Sequence, residues 1–337
     1  MSKPFNYGGQ AVIEGVMMRG QKYMTIAVRK PDEEGMPDPE GEIVVHAEQL
    51  NPHIYNSRFM KIPFVRGLTL LWDALGLGMR SLMYSADVAM GDEEVSFEGP
   101  VAWGTIAFSL ILAILIFFVT PLLLIGWFEG WLENYFAVAV ATEVPYKVVN
   151  LIVNTVEGII RIGIFIGYVW AIGQLADVQR VFSYHGAEHK TINAYENDLP
   201  LVPKKIATQS TVHPRCGTSF LLIVMVIALF IFVMLETPFQ ESPGIWFRIS
   251  SRILFIPVIA GVAYEFLRIS ADHMDNPLMK MLISPGLALQ KLTTREPDES
   301  MLEVAAAALT RLLREENMLP AEVPISSSES VAVAADT

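Results

Sequence analysis

Long apolar runs alternate with polar stretches along this chain, and two of the runs are long enough to cross a membrane. Residues 101–128 contain no charged side chain, and neither do residues 219–235. A helix needs about 20 apolar residues to cross the hydrocarbon core of a bilayer. The first run therefore predicts a membrane span, and the second predicts another that extends by a few residues at both ends.

Two further apolar runs, residues 148–173 and 245–269, carry a few charged side chains. Glu157 and Arg161 in the first run are four residues apart, in the order that favours pairing on one helical face. We interpret them as a packing ion pair inside a helical bundle rather than as a transport relay. The second run contains Arg248, Arg252, Glu265 and Arg268. Counting both runs, the pattern predicts four transmembrane helices.

The distribution of Lys and Arg between the spans predicts the orientation of the chain. The connection 174–218 contains five basic residues, the connection 129–147 contains one and the connection 236–244 contains none. Because basic loops stay in the cytoplasm, the middle connection and, with four spans, both termini are predicted to be cytoplasmic. The opening residues MSKPFNYGG lack the apolar core of a signal peptide. We therefore expect a multi-pass protein of the plasma membrane.

The residues before the first span predict a small β-containing segment. Residues 24–30 and 42–50 are short runs rich in Ile and Val, and the acidic loop between them is rich in Pro and Gly, which is typical of a β-hairpin. Residues 7–20 carry four glycines around a short apolar run, which favours strands and tight turns. Their spacing is not that of a dinucleotide-binding or P-loop motif, so the sequence predicts no phosphate site there.

Residues 64–90 predict an amphipathic helix. Arg66, Asp73, Arg80 and Asp87 recur every seven residues, so on a helix they form one polar stripe. We expect this helix to lie on the cytoplasmic membrane interface or against the bundle. The alternative is a fifth span, which would require partners for these charges at membrane depth.

After the last span, residues 278–292 predict an interfacial or re-entrant segment, and residues 300–317 predict a short amphipathic helix. The predicted fold class is mainly α, a polytopic helical membrane protein with a small N-terminal β-containing cytoplasmic segment and amphipathic interfacial helices. Its parts are a β-rich segment (1–63), an amphipathic helix with an acidic linker (64–99), the transmembrane bundle (100–270), C-terminal interfacial and amphipathic helices (271–319) and a disordered tail (320–337).

Composition supports this class and excludes others. Of the 337 residues, 52% are apolar and 18% are charged, against about 25% charged in soluble domains. The net charge of −12 argues against a nucleic-acid-binding protein. A single cysteine excludes a disulfide-stapled secreted module. The expected partner is therefore the lipid bilayer.

Candidate chemistry lies in the middle connection, within the segment YHGAEHK. His185 and His189 are four residues apart, so a helix brings both imidazoles to one side, within reach of a single cation. Glu188 between them completes the order H-x-x-E-H, the inverted zincin pattern, in which two His bind zinc and the Glu polarises the attacking water. The alternative is an interfacial helix whose His and Glu side chains only form hydrogen bonds.

A second cluster, TVHPRCG, lies immediately before the third span. Pro214 suits the first position of a helix, which predicts His213 just before the helix and Cys216 on its first turn. A helix N-terminus stabilises a thiolate, so Cys216 is a candidate soft ligand or reactive thiol. Together with His185 and His189, these residues supply ligands that zinc prefers. The alternatives are a small buried cysteine and a histidine that caps the helix.

Other residues are secondary candidates for the same site. Glu196 follows His189 by seven residues and is a further candidate for the third ligand. In the segment ADHMDNP after the last span, Asp272 and His273 are candidates for a partner that orients a ligating imidazole. Asp and Asn before Pro are also ordinary at helix ends, and we favour that structural role for this segment.

Several motifs together resemble the YqhQ-like family of uncharacterised bacterial membrane proteins. They are YGGQAVIEGVMMRG near the start, YHGAEHKTINAYE followed by HPRCGTSF in the middle, and PGLALQKLTTREPD towards the end. The resemblance covers roughly residues 7–313. It implies a bacterial plasma-membrane protein, and because members are described as predicted metal-dependent enzymes, it also implies metal dependence. Beyond the five residues of the H-x-x-E-H order, nothing resembles the inverzincin peptidases.

Two classes of function remain open at this point. The first is a metal-dependent hydrolase at the cytoplasmic membrane face, with a divalent metal such as zinc held by His185, His189 and His213 or Cys216, and with Glu188 as general base. Its substrate would be a lipid-linked molecule, a peptide or a transmembrane segment. The second class is a non-enzymatic scaffold, assembly factor or transporter, in which the same cluster is a structural metal site or a polar network.

Overall fold

The structure is a computed structural model of the chain, and it describes residues 7–52, 62–90, 100–121, 123–124, 126–127, 130–131, 146–236, 244–273 and 276–319. Helices dominate the described residues, beside one small sheet. The helices are α1 (Val65–Met90), α2 (Pro100–Ile114), α3 (Tyr146–Ile172), α4 (Ala176–Glu196), the short α5 (Pro203–Ile206), α6 (Gly217–Glu236), α7 (Ile245–Asp272), α8 (Pro277–Thr293) and α9 (Glu299–Glu315).

The sheet is an antiparallel meander of four strands in sequence order, β1 (Gly8–Val12), β2 (Gly15–Arg19), β3 (Tyr23–Arg29) and β4 (Ile43–Gln49). The predicted hairpin is confirmed, because β3 pairs with β4 in the register Tyr23 to Gln49. The glycine-rich residues before it form β1 and β2 with a tight turn, where Glu14 adopts a positive φ of 50°. The N-terminal β segment is thus twice the size of the predicted hairpin.

The two faces of the sheet pack into two different cores. Successive side chains of a strand point to opposite faces, so each strand contributes to both cores. One face contributes Val16, Met18 and Ala27 to a core shared with α4 and α9. The other face contributes Met17, Met24 and Ile26 to a second core. This second core includes Leu77 of α1, so α1 covers the sheet on that side.

The C-terminal helix α9 completes the first core. Its buried side chains form an almost continuous apolar face that includes Val304, Leu309 and Leu312. The Thr25 hydroxyl of β3 donates a 2.8 Å hydrogen bond to the carbonyl oxygen of Ala308. The predicted amphipathic helix at 300–317 therefore exists, and it packs on the N-terminal sheet.

Three helices are long and apolar enough to cross a membrane, by length and composition: Leu151–Ile172, Gly217–Glu236 and Trp246–Ser270. They correspond to three of the four predicted spans. At the remaining one, residues 101–128, α2 runs into a π-helical turn at Leu115–Val119, and only the shorter apolar helix Ala107–Phe117 is found among the described residues. The count of four spans is not confirmed. The predicted disordered tail, 320–337, lies outside the described residues.

An ion-pair network links the three candidate spans. Arg161 donates to Glu157 at 2.7 Å, as the sequence predicts. Arg252 of α7 also binds Glu157, at 2.6 Å, and reaches Glu236 of α6 at 2.9 Å. Arg248 lies 3.7 Å from the Glu236 carboxylate. The predicted local pair is therefore part of a larger buried network, which ties α3, α6 and α7 together.

Candidate metal centre

Helix α4 carries the histidine pair into the protein interior. It begins at Ala176, with three residues between it and the end of α3 at Ile172, and its part from Tyr184 to Ala194 is largely buried. His185 and His189 lie on one face, with ring centroids 4.4 Å apart. Gly186 on the same helix packs directly against the backbone carbonyl of Arg295, so no larger residue fits between them. The helix predicted from the motif is therefore confirmed.

Cys216 meets the histidine pair from the start of α6. Helix α6 begins at Gly217, so Pro214 is not its first residue, and Cys216 directly precedes the helix instead of lying on its first turn. The Sγ atom of Cys216 lies 3.3 Å from Nε2 of His185. His185, His189 and Cys216 each bring one donor atom within 4.8 Å of the others. Residues 31 positions apart in sequence thus form one compact cluster.

Backbone carbonyl groups fix the orientation of both imidazoles. Nδ1 of His185 lies 2.8 Å from the carbonyl oxygen of Thr293, and Nδ1 of His189 lies 2.6 Å from that of Thr211. A carbonyl oxygen only accepts hydrogen bonds, so each Nδ1 carries the proton and each Nε2 of a neutral ring offers a lone pair. Metal-binding histidines are oriented in the same way by their second ring nitrogen.

Glu188 is buried beside the cluster, under strand β1. Its side chain contacts Gly9, where a Cβ atom would lie 2.8 Å from Cγ of Glu188. One carboxylate oxygen lies 3.4 Å from Nε2 of His189. In a neutral His189 the proton is on Nδ1, so Nε2 carries a lone pair. That lone pair would then face the negatively charged carboxylate of Glu188. A proton or a metal cation at Nε2 removes that repulsion.

His213, the third predicted histidine ligand, lies next to the cluster and binds other groups. Its ring centroid is 5.8 Å from that of His189. Its Nε2 lies 3.4 Å from Oε2 of Glu196 and 3.4 Å from the Arg215 guanidinium, which also pairs with Glu196. Burial alone would raise the pKa of Glu196, but the His213 hydrogen bond and the Arg215 charge outweigh it and lower the pKa. Glu196, a candidate ligand, thus lies in an ion-pair cluster with His213.

Gln290 of α8 is a site residue that the sequence does not predict. Its fully buried amide accepts a 2.9 Å hydrogen bond from the His213 backbone N–H and donates a 2.8 Å one to the His213 carbonyl oxygen. It also donates to the Ser219 hydroxyl at 2.7 Å. The same helix ends at Thr293, whose carbonyl orients His185. A single Gln in an apolar run does not indicate a functional site by its chemistry. Its position within the motif PGLALQKLTT, which carries the family resemblance, is the sequence feature that could have drawn attention to it.

The third candidate group, ADHMDNP, has a structural role where it is described. Nδ1 of His273 donates to the carbonyl oxygen of Ile269 at the end of α7. The Asn276 side chain caps α8 by accepting from the backbone N–H of Leu278. Asp275 and the side chain of Asp272 lie outside the described residues. The favoured interpretation of these residues as helix-ending groups agrees with this geometry.

The chemical capacity of the cluster follows from its donor set. Two imidazole nitrogens and one sulfur are ligands that zinc prefers. Catalytic zinc sites commonly have three protein ligands, whereas structural zinc sites commonly have four. Two of the three donors are buried, and His185 is half-buried. The residues present therefore fit a divalent, zinc-like ion held by three protein ligands.

Comparisons with known proteins agree with the motif resemblance. The chain is 33% identical over 324 residues to "Uncharacterized protein YqhQ" of Bacillus subtilis (strain 168), and the alignment covers 92% of this chain and 93% of the relative. No solved structure matches significantly. A family model described as "Protein of unknown function (DUF1385)" matches residues 62–315, a range that contains the whole candidate metal centre. The chain therefore belongs to the DUF1385 family of YqhQ-like proteins.

Proposed function

We propose that this protein is a membrane-embedded, metal-dependent hydrolase whose metal is held by His185, His189 and Cys216. The observation that carries the proposal is the convergence of these three donor atoms within 4.8 Å of one another, with both Nε2 lone pairs left available by the carbonyl bonds at Nδ1. Zinc is the divalent ion that this mixed nitrogen and sulfur set favours. His213 remains an alternative ligand on rearrangement of its contacts with Glu196 and Arg215.

Glu188 is the residue to which we assign the role of general base. A divalent ion at this centre would supply Lewis acidity, which lowers the pKa of water to roughly 7. Glu188 is buried and lies 3.4 Å from the Nε2 edge of His189, the edge that faces the cluster. A carboxylate in that position can accept a proton from an attacking water and return it to a leaving group. The reaction class is therefore hydrolysis.

The proposed site lies at a membrane boundary, which suggests its substrate. Cys216 directly precedes the candidate span Gly217–Glu236, and α4 starts shortly after the candidate span Leu151–Ile172. By its Lys and Arg content, the basic connection 174–218 would face the cytoplasm, and with residues 101–128 as a fourth span both termini would lie on the same side. A lipid-linked molecule, a peptide or a transmembrane segment of another protein would reach the site from that side.

Metal analysis of the purified full-length chain tests the proposal. We expect about one zinc, iron or manganese ion per chain, lost in His185→Ala and retained in His46→Ala, whose ring packs on Tyr84 away from the centre. Glu188→Gln should keep the metal and lose the cellular function. Absence of stoichiometric metal from the purified protein would rule out the hydrolase.

A structural metal site makes different predictions for the same variants. In that case His185→Ala would unfold the surrounding connection, and Glu188→Gln would leave the cellular function close to that of the unsubstituted chain. Thermal unfolding of both variants in detergent separates the two outcomes. A catalytic site predicts that Glu188→Gln is folded and inactive.

The second candidate function is a transporter, and the buried ion-pair network favours it. Ionisable side chains inside membrane-spanning segments commonly mark ion or substrate pathways. Here Glu157, Arg252 and Glu236 connect three candidate spans. Transport would make the cellular function depend on Glu157 and Arg161 rather than on Glu188. Function that survives Glu188→Gln and fails in a Glu157→Gln variant whose thermal unfolding is close to that of the unsubstituted chain would therefore favour this class.

A further inference from the structure

Helix α1 presents an apolar stripe that no described part of the protein covers. The stripe consists of residues three or four positions apart on one helical face, Val65, Leu68, Trp72, Leu75 and Met79, all of them exposed. Trp72 is 78% exposed and Leu75 is 62% exposed. A continuous stripe of large apolar side chains is unfavourable in water, because removal of apolar surface from water lowers the free energy. The stripe therefore requires an apolar environment.

The charged residues within the part of α1 that carries the stripe pair with the protein instead of facing outward. Arg66 donates through Nε to Glu265 of α7 at 2.7 Å. Asp73 lies 3.7 Å from Arg19 of β2. Arg80, just beyond the stripe, pairs with Glu48 of β4 at 2.9 Å but is itself 59% exposed. An amphipathic helix of a soluble protein places its apolar face against the core and its charges in water. Helix α1 has the reverse arrangement between Val65 and Met79.

The N-terminal end of α1 lies against a candidate membrane span. A Cβ atom on Gly67 would lie 2.6 Å from the Cβ atom of Tyr264, and one on Gly261 would lie 2.8 Å from the carbonyl oxygen of Phe64. Tyr264 and Gly261 belong to the candidate span Trp246–Ser270. Such close helix contacts through glycine are typical of packing within membranes. The apolar stripe is therefore continuous with the surface of the bundle that lipid would cover.

The other half of α1 is held by the sheet. Leu77 is buried in the core on one sheet face. The hydroxyl of Ser85 accepts a 3.2 Å hydrogen bond from the backbone N–H of Ile13. Gly78 packs against the side-chain amide of Gln10. One helix thus joins the membrane bundle at its start to the sheet at its end.

We propose that the stripe from Val65 to Met79 is a lipid-contact surface, immersed in the leaflet next to the sheet. At 1.5 Å per residue the stripe is about 21 Å long, so an oblique helix can pass from the hydrocarbon region to the headgroups. Trp72 would then lie in the interfacial zone where Trp is enriched. A single row of five side chains is small beside the roughly 800 Å² that each partner contributes to a stable protein interface. The bilayer is therefore the favoured occupant over a second protein chain.

The consequence is that the membrane itself positions the sheet and the cluster beneath it. The sheet holds Gly9 against Glu188, and α1 ties the same sheet to α7. This surface is independent of whether the cluster binds metal, so the two proposals fail separately.

Spin labelling of the full-length chain in bilayers tests this surface. We would attach a nitroxide to Leu75→Cys and, as a water-exposed control, to Met36→Cys, since Met36 is 60% exposed in the loop between β3 and β4. The unsubstituted chain measures any labelling of the buried Cys216. The collision rates of each label with oxygen, which concentrates in lipid, and with a water-soluble nickel chelate are then compared.

We expect the label at Leu75→Cys to collide several-fold more with oxygen than with the chelate, and the label at Met36→Cys to show the reverse preference. A preference for the chelate at Leu75→Cys would place the stripe in water and overturn the proposal. Low collision rates with both reagents would reveal a protein contact, from this chain or another, and would overturn it as well. Trp72→Cys is the second position if Leu75→Cys does not fold.

Discussion

Gly9 is the residue at which the N-terminal sheet touches the candidate metal centre. A Cβ atom there would lie 2.5 Å from the Met17 carbonyl oxygen and 2.8 Å from Cγ of Glu188. Neither the paired backbone of β2 nor the buried carboxylate can move without loss of other contacts. The need for glycine at position 9 is therefore steric, and it links strand β1 to the position of Glu188.

We predict that Gly9→Ala destabilises the protein by about 1–3 kcal/mol, the usual cost of overpacking. The neighbouring Gly8→Ala is the matched control, since a Cβ atom at Gly8 meets nothing within 4 Å. Thermal unfolding of the two variants in detergent measures the difference. Equal unfolding temperatures would contradict the tight contact between β1 and Glu188.

Gln290 provides a second prediction at the level of a single residue. Its amide satisfies both backbone groups of His213 and the Ser219 hydroxyl. Gln290→Leu leaves these buried groups without partners, at a cost of about 1–3 kcal/mol for each group. We expect lower stability and a weaker hold on any metal, because the backbone before Cys216 loses its support. Gln179→Leu is the control, since the side-chain amide of Gln179 is half-buried and donates one long, 3.3 Å hydrogen bond to the carbonyl oxygen of Gln174. Metal retention on dialysis, measured with folded protein, checks the result.

At the scale of elements, the ion-pair network decides how three helices pack. Arg252 binds Glu157 of α3 and Glu236 of α6 and lies over the Phe232 ring, with 5.0 Å from its guanidinium carbon to the ring centroid. Removal of the Arg252 guanidinium leaves the buried carboxylates of Glu157 and Glu236 with fewer positive partners, namely Arg161 and Arg248. Buried ion pairs are costly to break for this reason, whatever their net contribution to folding.

We predict that Arg252→Leu destabilises the bundle by about 3–5 kcal/mol, the range for loss of one partner of a buried pair. Arg268→Leu serves as the control on the same helix, because Arg268 is exposed. Unfolding of both variants in mixed detergent micelles gives the comparison. A stability of Arg252→Leu equal to that of Arg268→Leu would show that the network does not hold the helices together.

For the whole molecule, the decisive contact joins the two ends of the described chain. Helix α9 packs on the sheet formed by residues near the N-terminus, with Leu309 fully buried. Tyr7 donates a 3.0 Å hydrogen bond to Glu316 across 309 residues of sequence. The sheet, α4 and α9 thus share one core, even though the candidate spans intervene between them in the chain.

Leu309→Ala is therefore expected to cost about 2–5 kcal/mol, as for other large-to-small changes in a core. Met318→Ala, at an exposed position, should be neutral. Limited proteolysis of the protein reconstituted in bilayers measures the loss of core stability. Cleavage within the sheet and α4 should be faster in Leu309→Ala, while the candidate spans stay protected by the bilayer. Unchanged cleavage of the sheet would argue against a shared core.

Local patterns predicted the elements well and their partners poorly. The hairpin at 24–50 follows from two Ile- and Val-rich runs around a Pro- and Gly-rich loop, and the helices at 64–90 and 300–317 follow from their amphipathic patterns. All of these are properties of neighbouring residues. The partners of α1 and α9 are distant in sequence, and no local pattern specifies them. The polar stripe of α1 illustrates the limit: its seven-residue period is visible in the sequence, but that Arg66 and Asp73 turn toward the protein while Arg80 stays exposed is not.

At the candidate metal centre, too, some features follow from the sequence alone and others only from the tertiary structure. The spacing of His185 and His189 puts both rings on one side of a helix in any fold, so the sequence alone determined that pair and the apolar runs that surround it. Which third donor joins them depended on the path of the loop 197–216, on Gln290 and on two backbone carbonyls. Only the tertiary structure could bring Cys216 to His185 and direct His213 to Glu196, because those choices rest on packing between α4, α6 and α8 rather than on the period of one helix.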